Sequence, residues 1–269
     1  MNDKSENLDS FKTLNGEVFY QLFNKEKCKE KVENIKACLN LIKDKDNSDK
    51  IVLDLGGGNG SFGVMIRDIL KAKKAIIYEP DSSLVETGIK ENKEDIENGK
   101  LEFINDFMEK ALVKEKENQF CFILLKEVIH YSDEIFFSNL IQFCSKYLNG
   151  ILFISGLIDY SLWKEQLPFP KTGNETLKNT KFTITHCSNI LEKENLYKFQ
   201  FHSELIYSDL TFDEYSSFVL NKGWSNLKDC SENELKECVD EHLLKAKKDG
   251  KLTIPFNKEY GFLQVEFNI

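Results

Sequence analysis

The residues whose types and spacing could do chemistry fall mainly in two short stretches. In the first, Ile51-Val-Leu-Asp-Leu runs straight into Gly56-Gly-Gly-Asn-Gly60-Ser-Phe-Gly63. One acid, Asp54, sits inside an otherwise apolar run, and glycines follow at 56, 57, 58 and 60. Glycine accepts positive φ and lets a ligand approach the main chain with no Cβ in the way. The amphipathic run Phe62, Val64, Met65, Ile69 and Leu70 comes next, so the order is strand, tight turn, helix. The free N–H groups at such a helix start suit polar or anionic ligand groups, and a nucleotide-like cofactor is expected over Gly56 to Gly60. The second stretch, Lys126-Glu-Val-Ile-His-Tyr131, follows an apolar strand. It offers His130, whose ordinary pKa suits proton transfer near neutrality, beside Glu127 and Lys126.

Around these stretches the chain alternates strands and helices. Ala75 to Pro80 predicts a second strand ending on Glu79, and Leu101 to Asp106 a third ending on Asp106. Phe120 to Lys126 is apolar enough for a central strand buried on both faces, and Gly150 to Ser155 makes a fifth. Cys28, Val32, Ile35, Leu39 and Ile42 recur at helical spacing before the first strand. This rhythm predicts an α/β fold with a doubly wound, mostly parallel sheet. Beyond Ile158 the rhythm changes. A helix through Ile190 and Leu191, a strand from Lys198 to Tyr207, capping boxes at Thr211 and Ser231, and a terminal strand from Tyr260 to Phe267 are expected. With no internal repeat, 1–269 is read as one domain: a core over 17–157, insertions and a late strand over 158–250, and a last segment over 251–269. Residues 158–195 and 210–250 are read as insertions lying over the open end of the sheet.

Composition narrows the partners. Asp plus Glu outnumber Lys plus Arg by 45 to 36, for a net charge of −9. Arg67 is the only arginine, so no broad phosphate-gripping face and no nucleic-acid partner is expected. Seven cysteines form no C-x-x-C pair, and the four histidines lack metal-ligand spacing. The start Met-Asn-Asp-Lys-Ser-Glu has no basic, apolar leader, and no apolar run is long enough to span a bilayer. The expectation is a cytoplasmic protein with reduced cysteines and no metal or membrane partner.

Gly58-Asn-Gly60-Ser-Phe-Gly63 satisfies the dinucleotide pattern G-x-G-x-x-G, with Glu79 about twenty residues on. The register is against it, because an acid precedes Gly56 by two and the glycines fall at 56, 58 and 60. Leu53-Asp54-Leu-Gly56-Gly-Gly58-Asn-Gly60 instead resembles, without a gap, the first motif of class I S-adenosylmethionine-dependent methyltransferases. The resemblance covers about 17–157. It implies a seven-stranded Rossmann-like sheet with an antiparallel last strand, and S-adenosyl-L-methionine as cofactor over Asp54, Gly56, Gly57, Gly58 and Gly60. It further implies Glu79 on the ribose hydroxyls, Asp106 on the adenine amino group with Phe107 beside the ring, and Lys126 near the methionine moiety. His130 is the candidate base; Glu127 could be base, or orient the acceptor or Lys126. His130 could also be a plain hydrogen-bonded wall residue. The order of late elements is similar to small-molecule members of the trans-aconitate methyltransferase type, so a small-molecule O- or N-nucleophile is the expected acceptor. Tyr160, Trp163, His186 and Trp224 are possible pocket residues. Two other readings stay open: a nicotinamide-dependent oxidoreductase and a non-catalytic methyltransferase-fold subunit.

Overall fold

The computed structural model describes residues 28–158, 169–173, 182–195, 197–206, 209–222, 227, 229–255 and 258–268. The chain forms two compact units, the larger built from Lys27–Ile158, Lys181–Ser203 and Tyr260–Ile269. After helix α1 (Cys28–Leu39) this unit alternates β1 (Ile51–Leu55), α2 (Ser61–Leu70), β2 (Lys74–Tyr78), α3 (Ser82–Glu91) and α4 (Lys93–Glu97). It continues with β3 (Leu101–Ile104), α5 (Met108–Lys114), β4 (Phe120–Lys126), α6 (Glu134–Tyr147), β5 (Leu148–Leu157) and α7 (Ile184–Glu194).

Strands β6 (Lys198–Ile206) and β9 (Lys258–Phe267) complete a seven-stranded sheet in the order β3-β2-β1-β4-β5-β9-β6. The pairs β1–β2, β1–β4, β2–β3 and β4–β5 are parallel. The pair β5–β9 is antiparallel. The expected mostly parallel sheet with an antiparallel last strand is therefore present. Strand order reverses between β1 and β4, and such a switch point is where open α/β sheets bind ligands.

Side-chain alternation sorts the core into two layers. On one face Leu53, Leu55, Ile123, Leu125, Leu152 and Ile154 pack with Phe136, Phe137 and Leu140 of α6. On the other Val52, Ile77, Phe122, Leu124 and Phe153 pack with Ile35 and Leu39 of α1 and Phe62 and Ile66 of α2. The helices start where short polar residues can take their first amides. Asp81 accepts from Ser83 and Leu84 at the head of α3, and Asp133 accepts from Phe136 at the head of α6.

The smaller unit contains β7 (Asp209–Thr211), α8 (Phe212–Leu220), α9 (Glu232–Lys248) and β8 (Thr253–Pro255), with β7 and β8 forming an antiparallel ladder. Both helices open on the expected capping boxes, Thr211 with Glu214 and Ser231 with Glu234. Glu234 also accepts from Thr172 Oγ1 at 2.6 Å, and these hydrogen bonds hold its carboxyl down at about 2.

One expectation is corrected. Residues 158–195 do not form an insertion throughout, because α7 is a core helix of the larger unit. Its Ile184, Cys187 and Leu191 are fully buried with Phe137 and Phe182 in the α6 layer. Helices α4 and α5 and the β7–β8 ladder were not foreseen, and β3 stops at Ile104 rather than Asp106.

Arg67 is 4% exposed and does structural work. Its guanidinium donates to Asp68 (2.6 and 2.8 Å), Asp95 (2.7 Å) and the Lys100 carbonyl (3.2 Å). It thereby ties α2 to α4 and to the residue entering β3. Replacing it with alanine should lower unfolding free energy by about 2–3 kcal/mol, since a buried network then loses its donor. Arg67→Lys should recover less than half, having no planar fork. Urea denaturation of both variants checks this, and two wild-type midpoints would make the network incidental.

Candidate active site

The glycine turn is built from β1 and closed onto β2. Gly56, Gly58 and Gly60 lie at φ 73°, 58° and 78°, in the left-handed region. The amides of Gly56 and Gly57 both donate to the Tyr78 carbonyl, at 2.7 and 3.2 Å, which pins the turn to the end of β2. Space, not φ, demands glycine at 57, where an added Cβ would stand 2.6 Å from the Asp54 carboxylate.

Asp54 is the reason for that crowding. It is 1% exposed in the middle of the sheet. Its Oδ2 accepts from the Gly63 amide at 3.1 Å, and its Oδ1 has no partner. Burial pushes its carboxyl up to about 7, while the Lys126 charge and the Gly63 amide pull the other way.

Glu79 follows β2 and is also buried. Its Oε2 accepts from the Gly58 amide and its Oε1 from the Asp81 amide, each at 2.9 Å. Burial raises its pKa to about 7; the two amides oppose this, and the charges of Asp81 and Asp54 add to it. An ionised carboxylate has about four acceptor positions, so these two bonds leave each oxygen able to accept another. Asn105 buttresses the strand end by donating to the carbonyls of Glu79 (2.9 Å) and Pro80 (3.0 Å).

Asp106 and Phe107 follow β3. The Asp106 carboxylate accepts from the Phe107 amide and from Lys114 Nζ, both at 2.9 Å. Burial works against ionisation there, yet Lys114 and the amide outweigh it and hold the carboxyl below its usual range. Phe107 is half-buried at the N-terminal boundary of α5.

At the end of β4, Lys126 places its ammonium 4.5 Å from the centroid of the Phe62 ring on α2. The next residue, Glu127, has φ 60° although it is not glycine, and its amide donates to the Ser155 carbonyl at 2.7 Å. Such strain persists only where the surroundings fix it, and it clusters at functional sites. His130 belongs to a single 3₁₀ turn, Ile129–Tyr131, with its ring centroid 4.0 Å from that of Tyr131. Burial lowers its pKa to about 4, with Glu127 opposing, so the imidazole is neutral at pH 7. The expectation of an ordinary pKa near neutrality is corrected accordingly.

Asp54, the four turn glycines, Glu79, Asp106, Phe107, Lys126, Glu127 and His130 thus lie in, or just beyond, the carboxyl-terminal parts of four neighbouring parallel strands. His186, at the start of α7, is exposed, bonded to Thr183 Oγ1 at 2.9 Å and stacked on Phe182. Tyr160, Trp163 and Trp224 lie outside the described residues. Sequence reasoning missed Ser155, whose hydroxyl is buried without a partner and which pairs in register with Lys126. Its signal was available, as the polar residue that follows the apolar run Ile151–Ile154. Among the described residues, no three His, Cys, Asp or Glu side chains gather as a metal site, and no helix is long and apolar enough to cross a membrane.

The strand order and the glycine turn define the fold of class I S-adenosylmethionine-dependent methyltransferases, and solved structures share this architecture. A cyclopropane synthase from Mycobacterium tuberculosis aligns over 98% of this chain and 100% of its own, with TM-score 0.55 and 12% identity. Geranyl diphosphate methyltransferase, in complex with geranyl diphosphate and sinefungin, aligns over 93% and 83%, with TM-score 0.52 and 14% identity. A methyltransferase from Thiobacillus denitrificans bound to S-adenosyl-L-homocysteine aligns over 93% and 96%, with TM-score 0.51 and 13% identity. By sequence, no family model matches the chain, and no curated protein matches it significantly.

Gly57→Ala should be poorly tolerated even though φ at this position is not left-handed. The new methyl would force Asp54 or Ile77, whose Cγ2 would be 2.7 Å away, out of place. A loss of about 1–3 kcal/mol is expected, as for overpacking elsewhere. Thermal denaturation against wild type measures it; an unchanged Tm would show that the turn relaxes freely.

Proposed function

We propose that the chain is an S-adenosyl-L-methionine-dependent methyltransferase acting on a small-molecule O- or N-nucleophile. The observation that carries the reading is the buried Asp54–Glu79 pair flanking the glycine turn. Asp54 Oδ1 is a buried acceptor without a donor, a fit for an ammonium such as the one in the methionine moiety. Glu79 fixes the Gly58 amide while keeping acceptor positions for two ribose hydroxyls. Asp106 and Phe107, at the next strand end, would take the adenine, and Lys126 would border the methionine end.

Bound S-adenosyl-L-methionine supplies an electrophilic methyl group on a sulfonium. The protein's own task is aim and exclusion of water. Neutral His130 is the proposed proton acceptor toward the nucleophile. With a pKa near 4 it is a weak base, so it would take the proton late, as the nucleophile becomes acidic on methylation. Glu127 is proposed to orient that ring or the acceptor. The acidic balance of the chain supports a small acceptor over nucleic acid, and a cytoplasmic site of action belongs to the same reading. The late order of helix, strand, two capped helices and last strand is similar to that of the trans-aconitate type, which this reading keeps as an analogy.

Calorimetry with S-adenosyl-L-methionine, S-adenosyl-L-homocysteine and NAD tests the cofactor. The first two should bind and NAD should not; heat with NAD alone would replace this reading with the oxidoreductase. Binding with no methyl transfer to any metabolite in a labelled-donor screen would favour the non-catalytic subunit. Glu79→Ala should weaken homocysteine-adduct binding by about 1–3 kcal/mol, the worth of hydrogen bonds to a charged group. Unchanged affinity would mean that the ribose is held elsewhere.

A further inference from the structure

Helix α3 keeps a buried glycine, Gly88, in its interior, where helix propensity favours alanine. Its backbone does not need glycine, since its φ is not left-handed. Space does. A Cβ at this position would stand 2.7 Å from the Asn59 carbonyl oxygen, and 2.5 and 2.7 Å from Cζ and Cε1 of Phe103. The same edge of that ring faces Gly60, where an added Cβ would meet Cζ at 2.7 Å and Cε1 at 3.0 Å. The β3 ring is thus wedged between the glycine turn and α3, and the main chain of the turn rests on the helix. A second contact joins the same two parts: Asn59 Nδ2 donates to Glu91 Oε2 at 3.1 Å. Gly88 and Glu91 are neighbours on one face of α3, being three residues apart. Asn59 therefore meets that face twice, with its carbonyl and with its side-chain amide. The head of α3 is tied to the turn as well. Its cap, Asp81, donates its amide to Glu79, which also accepts from Gly58.

We propose that Gly88 and Glu91 are positioning residues: through Asn59, α3 sets the conformation of the glycine turn, and with it the affinity of the turn for its ligand. This deepens the methyltransferase reading and rests on it for the ligand. The link runs through one peptide plane. The Asn59 carbonyl and the Gly60 amide belong to the same planar unit, so tilting one tilts the other. The Gly60 amide donates to the Gly57 carbonyl at 2.9 Å, the hydrogen bond that closes the turn. A methyl group at position 88 meets main chain at Asn59, which yields less readily than the end of a side chain, and so it strains that bond. The Glu91 contact acts on the same residue from the other side. The Asn59 side chain spans from Glu91 to the head of α2, where its Oδ1 accepts from Ser61 Oγ at 2.6 Å. Apparent affinity falls in proportion to the fraction of chains whose turn is in the binding conformation. Loosening or tilting Asn59 should therefore cost affinity at residues that meet no ligand.

Three variants of the full chain test this: Gly88→Ala, Glu91→Ala and Glu91→Gln. Each is measured by calorimetry with S-adenosyl-L-homocysteine, by thermal denaturation, and by hydrogen exchange of the Gly60 amide without ligand. Gly88→Ala should speed Gly60 exchange and weaken binding about tenfold, the scale of a main-chain shift forced by overpacking. Glu91→Ala should weaken binding about two- to fivefold at an unchanged Tm, as suits one exposed contact. Glu91→Gln keeps an acceptor oxygen and should bind like wild type. Wild-type affinity together with wild-type Gly60 exchange in Gly88→Ala overturns the proposal. If that variant fails to fold, wild-type affinity in Glu91→Ala overturns it instead. Equal losses in Glu91→Ala and Glu91→Gln overturn it too, because charge rather than the hold on Asn59 would then be acting. If S-adenosyl-L-homocysteine does not bind even the wild type, the methyltransferase reading fails, while Gly60 exchange still decides whether α3 sets the turn.

Discussion

A carboxylate placed inside a β-sheet is the constraint from which the rest of this site follows. Asp54 belongs to a strand whose every residue is buried, and a charge there is tolerated only when other groups compensate it. The Gly63 amide supplies one hydrogen bond, and accepting it draws the first turn of α2 against β1. That closeness leaves no room for side chains at 57 and 63, where an added Cβ would meet Asp54 and Ile77. It also fixes Phe62, over which Lys126 then lies. One acid thus dictates the spacing of two glycines and the seat of a helix.

Glu79 repeats the pattern with a different partner. Its carboxylate bridges the turn, through Gly58, and the entry to α3, through Asp81. The group read as the ribose anchor therefore also shapes the turn, so affinity and local structure are coupled at this residue. The electrostatics carry a cost to stability. Both Asp54 and Glu79 have folded-state pKa values raised to about 7. A raised acid favours the folded state with its proton on. Each group therefore withdraws stability as pH rises from the unfolded carboxylate range, about 4, to about 7. At neutral pH the site is less stable than apolar residues there would make it, and ligand donors would restore part of the loss.

Legibility in the sequence followed the range of the forces involved. The β1–turn–α2 unit was readable because its determinants are local: an apolar run, glycines at fixed offsets and an amphipathic repeat within twenty residues. Glu79 and Asp106 were readable as acids at strand ends. Nothing local revealed that Asp106 would pair with Lys114, eight residues on, because α5 itself is only seven residues long and weakly patterned. Helix α7 was misassigned for a related reason. It carries its apolar residues at helical spacing, which suits a cap as well as a core helix. Only the burial of Cys187 and Leu191 against the α6 layer distinguishes them. The left-handed Glu127 was invisible, since its conformation answers to the Ser155 carbonyl on a neighbouring strand. The altered pKa values of His130 and Asp54 are likewise products of enclosure, which composition does not encode.

The two sides of the site divide their chemistry accordingly. Around the turn, Asp54 and Glu79 put two buried acids side by side in charge, and burial within the sheet edge raises the cost of ionising each. Beyond β4 the wall is different: a neutral imidazole, a strained glutamate and the half-exposed ring of Tyr131. A neutral imidazole costs less to bury than its charged form, and burial lowers its basicity by the same free energy even though the Glu127 carboxylate opposes it. A wall of this kind is poor at removing a proton from an unactivated hydroxyl in advance. It is well suited to holding a nucleophile by hydrogen bonds until bond formation makes that proton acidic. On the proposed methyltransferase reading, discrimination on the β4 side would rest on shape and hydrogen bonding, with charge recognition left to the glycine turn.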